Sequence, residues 1–550
     1  MKKRYKIILF TLLMIAVSGI QSCKKVDEYL DKAPTGGLTE NQVFGNYQQA
    51  LQFLAGIYQR LPDEWQPAGS DTFTYGAASD EALCSVQLGN GPQEYTNGLI
   101  SSTSNVLDVW VPLYASVRSA NLFLEKIALW QPANPIEVAA KDRMIGEAYF
   151  LRAFFYMELF KRYGRVPVFE RTLNITDNLN LPRNTVDETV SVIITNCEKA
   201  ANLLYRENAS ADLGRATKGA ALMLKAQALL LRASKLHNPS EDKTKWAAAA
   251  AAAKDVVNLG VYSVDGNYKS LLHSRTTPNI IFQSTVNKAA WRNLMFLPSL
   301  GGYARVQPIQ EMVNAYEMQS TGKAITEPGS GYDLNNPYVG RDPRLGYSII
   351  YDGSTWKGTV IQTYQGAPGT NGSQPQGGAP QTQTGYYLAK TVDENASITP
   401  AVTGEHYWIY MRYEDLLLMY AEAQNEALDI PDNTIYDAVN EVRTRIGIAM
   451  PALPSGLSKI QMRDKIRNER RVELAFEGKR FWDIRRWRIG ENVMKQAYGV
   501  LIQRNAITGI KTYNYNLIQS RTYRNEFDLF PIPQVERQKQ PALEQNPDYN

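Results

Sequence analysis

The chain has 550 residues, 44% of them hydrophobic and 21% charged, with a formal balance of +4. These are globular proportions, so a disordered polymer is excluded, and the length allows more than one packed unit. Lys2, Lys3, Arg4 and Lys6 carry the whole excess, so the rest of the chain is neutral. A neutral body leaves no electrostatic footprint for nucleic acid.

Residues 1–22 open with those cations, continue as IILFTLLMIAV and end in small and polar residues. The apolar run is far shorter than the ~20 residues of a spanning helix and reads as a signal peptide. SGIQSC, ending at Cys23, resembles a bacterial lipobox, with Gln21 where a small residue is usual. Cleavage before Cys23 would expose a thiol for acylation, and more than one acyl chain anchors a protein stably. Plain secretion with a free thiol is the other reading. Residues 23–40 form a polar tether. Cys23, Cys84 and Cys197 are too few for a disulfide framework. His237, His273 and His406 have no carboxylate or thiol at ligand spacing, so neither a metal nor another cofactor is expected.

Tyr47, Leu51, Leu54, Tyr58 and Leu61 step at helical spacing up to Pro62. Glycine and proline then break the period through 62–105, a stretch that carries Trp65, Tyr75 and Tyr95. Helix resumes over 107–130. The next helix, near 140–163, is apolar on two faces and so belongs at the centre of its unit; Gly164 and Pro167 stop it. Helices near 186–207, 217–236 (capped by Thr217) and 243–259 complete a helical region over 41–260.

Residues 261–405 are of another character, rich in Gly, Pro, Asn, Thr and aromatics. GAPGTNGSQPQGGAPQTQTG at 366–385 has six Gly, three Pro and no charge, the composition of a surface loop. Helices return over 406–498, followed by an extended, proline-containing tail. Tyr413 to Ile446 reads as a helical hairpin of 34 residues, the length of a tetratricopeptide (TPR) unit. Such pairs cannot bury their apolar faces alone and should stack into a curved scaffold.

Ile466 to Trp487 is the densest stretch. Glu469, Glu473 and Glu477 share one helical face, Arg470 lies within reach of Glu473, and Gly478 is placed to end the helix at φ > 0. Interleaved arginine, glutamate and tryptophan point to an internal ion-pair lattice.

This wording, NERRVELAFEGKRFWDIRRW, resembles the hallmark of the SusD/RagB family of surface lipoproteins. Further family phrases follow in family order: the lipobox, GEAYFLRAFFYMELFKRYG, TKGAA, YEDLLLMYAEA and the PIP…QNP tail, with RDPRL at 341–345. The resemblance implies a mainly α, SusD-like fold, with TPR-like helical hairpins behind a large, irregular, loop-rich ligand-binding face. It also implies an outer-membrane lipoprotein facing outside, with Asp27 and Glu28 resembling surface-export residues. Its partners would be an oligosaccharide and a SusC-like TonB-dependent transporter.

Sugars offer apolar C–H faces to aromatic rings and hydroxyls to polar rims. Most aromatics pack cores, so the candidates are loop aromatics with polar neighbours: Trp65, Tyr75, Trp291, Tyr303, Tyr332 and Trp356. The phosphate-loop, zincin, nucleophile-elbow and dinucleotide motifs are absent. Carboxylates remain as the only catalytic groups, and those of the dense stretch have arginines in reach, a poor setting for a general acid. A binding protein is the preferred reading. A surface glycoside hydrolase, a peptide-binding lipoprotein and a protein adaptor are the alternatives.

Overall fold

The computed structural model describes residues 44–64, 67, 74–85, 91–271, 273–288, 292–369, 371–372, 381–397 and 405–549. Cys23, the leader, Trp65 and Trp291 lie outside the described residues.

The chain is mainly helical. Helix α1 spans Tyr47–Tyr58, α2 Trp110–Lys126, α3 Pro135–Tyr163, α4 Val186–Leu203, α5 Lys218–Ala233 and α6 Lys243–Val257. Local sequence sets the ends. Asn134 accepts the Glu137 amide and Pro135 takes the first helical position of α3, where its missing N–H costs nothing. Gly164, at φ 68°, closes the same helix. Thr217 caps α5 by accepting the Ala220 amide. Helix α3 is buried on both sides, from Phe150 and Phe154 to Met144 and Leu159, as two apolar faces require.

The helices pack in a row, α2 on α3, α3 on α4, α4 on α5 and α5 on α6. Small side chains permit the approach: a Cβ at Gly146 of α3 would stand 2.9 Å from the Leu203 Cβ of α4. The row continues across the chain's irregular middle, because α6 packs on α7 (Tyr413–Ala427). Helix α7 in turn contacts α8 (Asn433–Arg443) and α9 (Lys459–Glu473).

The middle region contributes short antiparallel pairs. Strand β1 (Ala82–Cys84) pairs β3 (Val306–Pro308), β2 (Ile280–Gln283) pairs β8 (Ile409–Arg412), β4 (Ile349–Ile350) pairs β7 (Tyr387–Leu388), and β5 (Thr355–Trp356) pairs β6 (Thr359–Val360). One long hairpin departs from expectation: β9 (Gln496–Arg504) and β10 (Lys511–Ser520) pair over most of their length. The sequence reading carried helix to 498 and extended chain beyond. Gly509, at φ 72°, donates its amide to Asn505 O at 2.9 Å and closes the turn.

The lattice forms, with partners drawn from far along the chain. Glu469, Glu473 and Glu477 are 2%, 0% and 3% exposed. Arg344 donates to Glu469 (2.5 Å) and Glu473 (2.9 Å). Arg412 bridges Glu473 and Glu477, Arg443 meets Glu469, Arg445 meets Glu473, and Lys390 meets Glu477. The expected Arg470–Glu473 pair does not form. Arg470 turns instead to Asp415 (3.0 Å) and Asp483 (3.2 Å), because Glu473 already faces three other arginines. Phe476 (φ 61°) and Gly478 (φ 74°) break the path between α9 and α10 (Lys479–Arg486).

Candidate ligand face

Alternation along β10 places Tyr513 and Tyr515 on one face of the strand. Tyr515 is 38% exposed and Tyr513 is half-buried. They reach the half-buried Tyr332, Tyr338 and Tyr351 of the middle region. Tyr338 stacks on Tyr351 with ring centroids 4.4 Å apart and planes at 24°. Tyr513 meets Tyr338 edge-on at 6.0 Å and 80°. Below them the buried Tyr386 meets Tyr338 edge-on at 6.3 Å and donates its hydroxyl to Gln310 at 2.5 Å. The two edge-on contacts have the geometry that aromatic quadrupoles favour.

The floor is held by Arg341. Its guanidinium lies 5.4 Å from the Tyr332 centroid and donates to the carbonyls of Val313, Tyr316 and Pro337. Burial pushes the Tyr338 and Tyr386 phenols upward; burial and the neighbouring Tyr332 hydroxyl do the same to Tyr515. All three therefore stay neutral at working pH and can both donate and accept. The rim is polar. Asp333 accepts from the Asn335 amide (2.9 Å) and Asn336 Nδ2 (2.7 Å), and Lys511 reaches the rim from its pairing with the buried Asp352. Ring faces with an amide, hydroxyl and carboxylate rim suit binding.

The sequence candidates disperse. Tyr332 joins the tyrosine cluster. Tyr303 is 44% exposed and lies 5.0 Å below the Arg305 guanidinium. Its patch adjoins the β1–β3 pair, with Asn371 Nδ2 donating to Ser299 Oγ nearby at 2.8 Å. No ring contact between described residues joins this patch to the tyrosine cluster. Two candidates are corrected. Tyr75 is 2% exposed; its ring packs 5.1 Å from Phe481 and 5.6 Å from Trp482, and its hydroxyl accepts from Arg162 at 3.0 Å. Trp356 is 6% exposed within the core. Both rings are consumed by packing and offer no face to a ligand. Sequence reasoning missed Tyr338, Tyr351, Tyr513 and Tyr515. The Y-N-Y-N alternation of β10 was the readable signal for the last two.

The lattice carboxylates are not a second site. Opposing guanidinium groups outweigh burial and hold Glu469, Glu473 and Glu477 below the usual carboxylate range. Among the described residues no helix is long and apolar enough to cross a membrane.

Comparison with known proteins agrees with this architecture. Residues 278–549 match the SusD family model, and residues 28–230 match a model described as starch-binding associating with outer membrane. SusD-like protein P25 of Formosa agariphila is 24% identical, over 96% of this chain and 97% of its own length. A crystal structure of a SusD-like protein from Bacteroides fragilis superposes with a TM-score of 0.78 at 26% identity, covering 94% of this chain and 100% of that one. A SusD-like carbohydrate binding protein from the same organism gives 0.76 at 24% identity, over 91% of this chain and 100% of that one. On the two family models, the full-length relatives and the shared fold, the chain belongs to the SusD/RagB family.

Proposed function

We propose that this protein is a non-enzymatic, cell-surface lipoprotein, acylated at Cys23, that captures oligosaccharide and passes it to a SusC-like TonB-dependent transporter in the outer membrane. The observation that carries the binding half is the tyrosine cluster. Five half-buried or exposed rings from β10 and the 332–351 segment converge beside Asp333, Asn336 and the Asp352–Lys511 pair. Aromatic faces take sugar C–H faces, and the rim takes hydroxyls. A half-buried ring loses little freedom when a ligand covers it, which keeps the cost of association low. The Tyr303–Arg305 patch is a second contact surface in this reading. Delivery rests on the family: SusD-like relatives carry the same helical back, and stacked helical pairs offer an extended surface to a partner.

Affinity electrophoresis in gels containing different polysaccharides tests the capture. At least one glycan should retard the protein. Tyr513→Ala with Tyr515→Ala should weaken that retardation ~5- to 150-fold, at roughly 0.5–1.5 kcal/mol per ring. Undiminished retardation of the double variant, or release of new reducing ends during incubation, would overturn the proposal.

A further inference from the structure

A separate pocket of about 280 Å³ opens where the α4–α5 connection meets residues 275–283. That lies near the lower end of the ~300–1,000 Å³ range for small-molecule sites and gives room for a sugar ring. Three arginines line it, Arg206, Arg215 and Arg275, with Tyr262 and Gln283.

The arginines are not equivalent. Arg215 is committed to Glu147 (2.8 Å) and Asp212 (3.0 Å). Arg206 is exposed and donates to the Leu259 carbonyl. Arg275 stacks its guanidinium 4.3 Å from the Tyr407 centroid, and its Nε is buried without a hydrogen-bond partner. Neither Arg206 nor Arg275 has a carboxylate at ion-pairing distance among the described residues. Glu207 is the one carboxylate lining the pocket, and it is exposed to water, where its repulsion of an anion is screened.

Buried acceptors also go unmatched. Gln283 is 3% exposed. Its Nε2 donates to the Arg275 carbonyl at 2.9 Å, which fixes the opposite end of the amide as oxygen. That Oε1, and the Thr277 hydroxyl beside it in the lining, are buried without partners. Buried polar atoms are nearly always satisfied, so the pocket presents an unfilled set of two kinds. Arg275 Nε needs an acceptor, and Gln283 Oε1 needs a donor. A bare anion such as sulfate supplies only acceptors. A neutral sugar's hydroxyls can both accept from Arg275 and donate to Gln283, but they leave the two guanidinium charges without a counter-charge. A ring bearing hydroxyls and one anionic substituent supplies both.

We propose that this pocket binds an acidic sugar unit, with its carboxylate or sulfate ester on Arg275 and Arg206 and a ring hydroxyl donating to Gln283. The proposal rests on the reading of the protein as a glycan binder and names the charge class of its ligand. It gives the protein a one-ring selectivity site alongside the aromatic face.

Isothermal titration of the full chain with galacturonic acid, galactose 6-sulfate and galactose tests it. At least one charged sugar should bind ten-fold or more tightly than galactose, and the better of the two identifies the substituent. Arg275→Gln should weaken the charged sugar ten-fold or more and Arg275→Lys less, with galactose unchanged. Arg206→Gln, at an exposed position, gives the same direction without a risk to folding, and an unchanged thermal melt checks each variant. Equal binding of galactose and both charged sugars, or charged-sugar binding insensitive to both arginine variants, overturns the proposal. Loss in the Tyr513→Ala, Tyr515→Ala protein but not in Arg275→Gln overturns it while sparing the glycan reading. Failure of every glycan in both titration and gels would instead remove the parent reading.

Discussion

Arg344→Met is expected to destabilise the protein by about 3–5 kcal/mol, the range for breaking a buried ion pair from one side. The Arg344 side chain is 0% exposed and spends its fork on three carboxylates. Two bonds go to Asp342, at 3.1 Å from Nε and 2.7 Å from Nη2, and Nη1 serves Glu469 and Glu473. Methionine fills much of the space but leaves Asp342 with no cation. Glu469 then leans on Arg443 alone, and Glu473 on Arg412 and Arg445. Arg344→Lys keeps the charge and loses the fork, so it should fall between wild type and methionine. Urea midpoints check the order. A midpoint for Arg344→Met within error of wild type would show that the lattice contributes nothing net. Ligand retardation by the folded variant should persist, since Arg344 touches no part of the tyrosine cluster.

The lattice also explains what could be read from the sequence and what could not. Helical periodicity, a cap such as Thr217 and stops such as Gly164 are local, so the helices emerged within a few residues of their ends. Helix α3 begins earlier than its apolar stripe because Asn134 and Pro135 start it in water. The acidic face of Glu469, Glu473 and Glu477 was legible for the same reason. Its partners were not, since Arg344, Arg412 and Arg443 arrive from other segments and only tertiary packing chooses among them. RDPRL stood out only as a family phrase, yet its two arginines have separate duties: Arg341 props the tyrosine floor while Arg344 anchors the lattice. Tyr75 misled because irregular backbone was equated with surface. Residues 74–82 bond within themselves, Ala78 N to Thr74 O and Ala82 N to Gly76 O, so the segment can sit against α10 with its polar groups satisfied. The tyrosine site escaped because its rings come from stretches more than a hundred residues apart in sequence.

Acid should unfold the protein steeply below about pH 4.5, and the sign follows from the direction of each shift. Asp415 and Glu422 are buried, but Lys479 and Arg470 around the first, and Arg486 around the second, hold both down to about 2. Glu469, Glu473 and Glu477 are lowered in the same way. A carboxylate lowered in the fold contributes stability that is present above its unfolded value, 4.5 for glutamate and 3.8 for aspartate. That stability is lost as pH falls and the unfolded chain takes up protons first. Each such group adds up to ~1.4 kcal/mol per pH unit of slope. Glu81 runs the other way. Burial raises it to about 7, with its Oε1 accepting the Phe476 amide at 3.0 Å and its Oε2 unmatched. Its contribution is present below 4.5 and declines as pH climbs toward 7. Urea midpoints should therefore peak near pH 4.5–6, fall gently toward neutrality and collapse between 4.5 and 2. Glu81→Gln keeps the acceptor and removes the ionisation, so it should make the neutral limb shallower, with other raised carboxylates such as Glu147 keeping the rest of it, and leave the acid limb intact. Arg344→Met should do the reverse, making the acid limb shallower because Glu469 and Glu473 lose part of what lowers them. Midpoints level from pH 4.5 to 2.5 would mean that the buried carboxylates are already neutral, and the ionised lattice would then be the wrong account of this core.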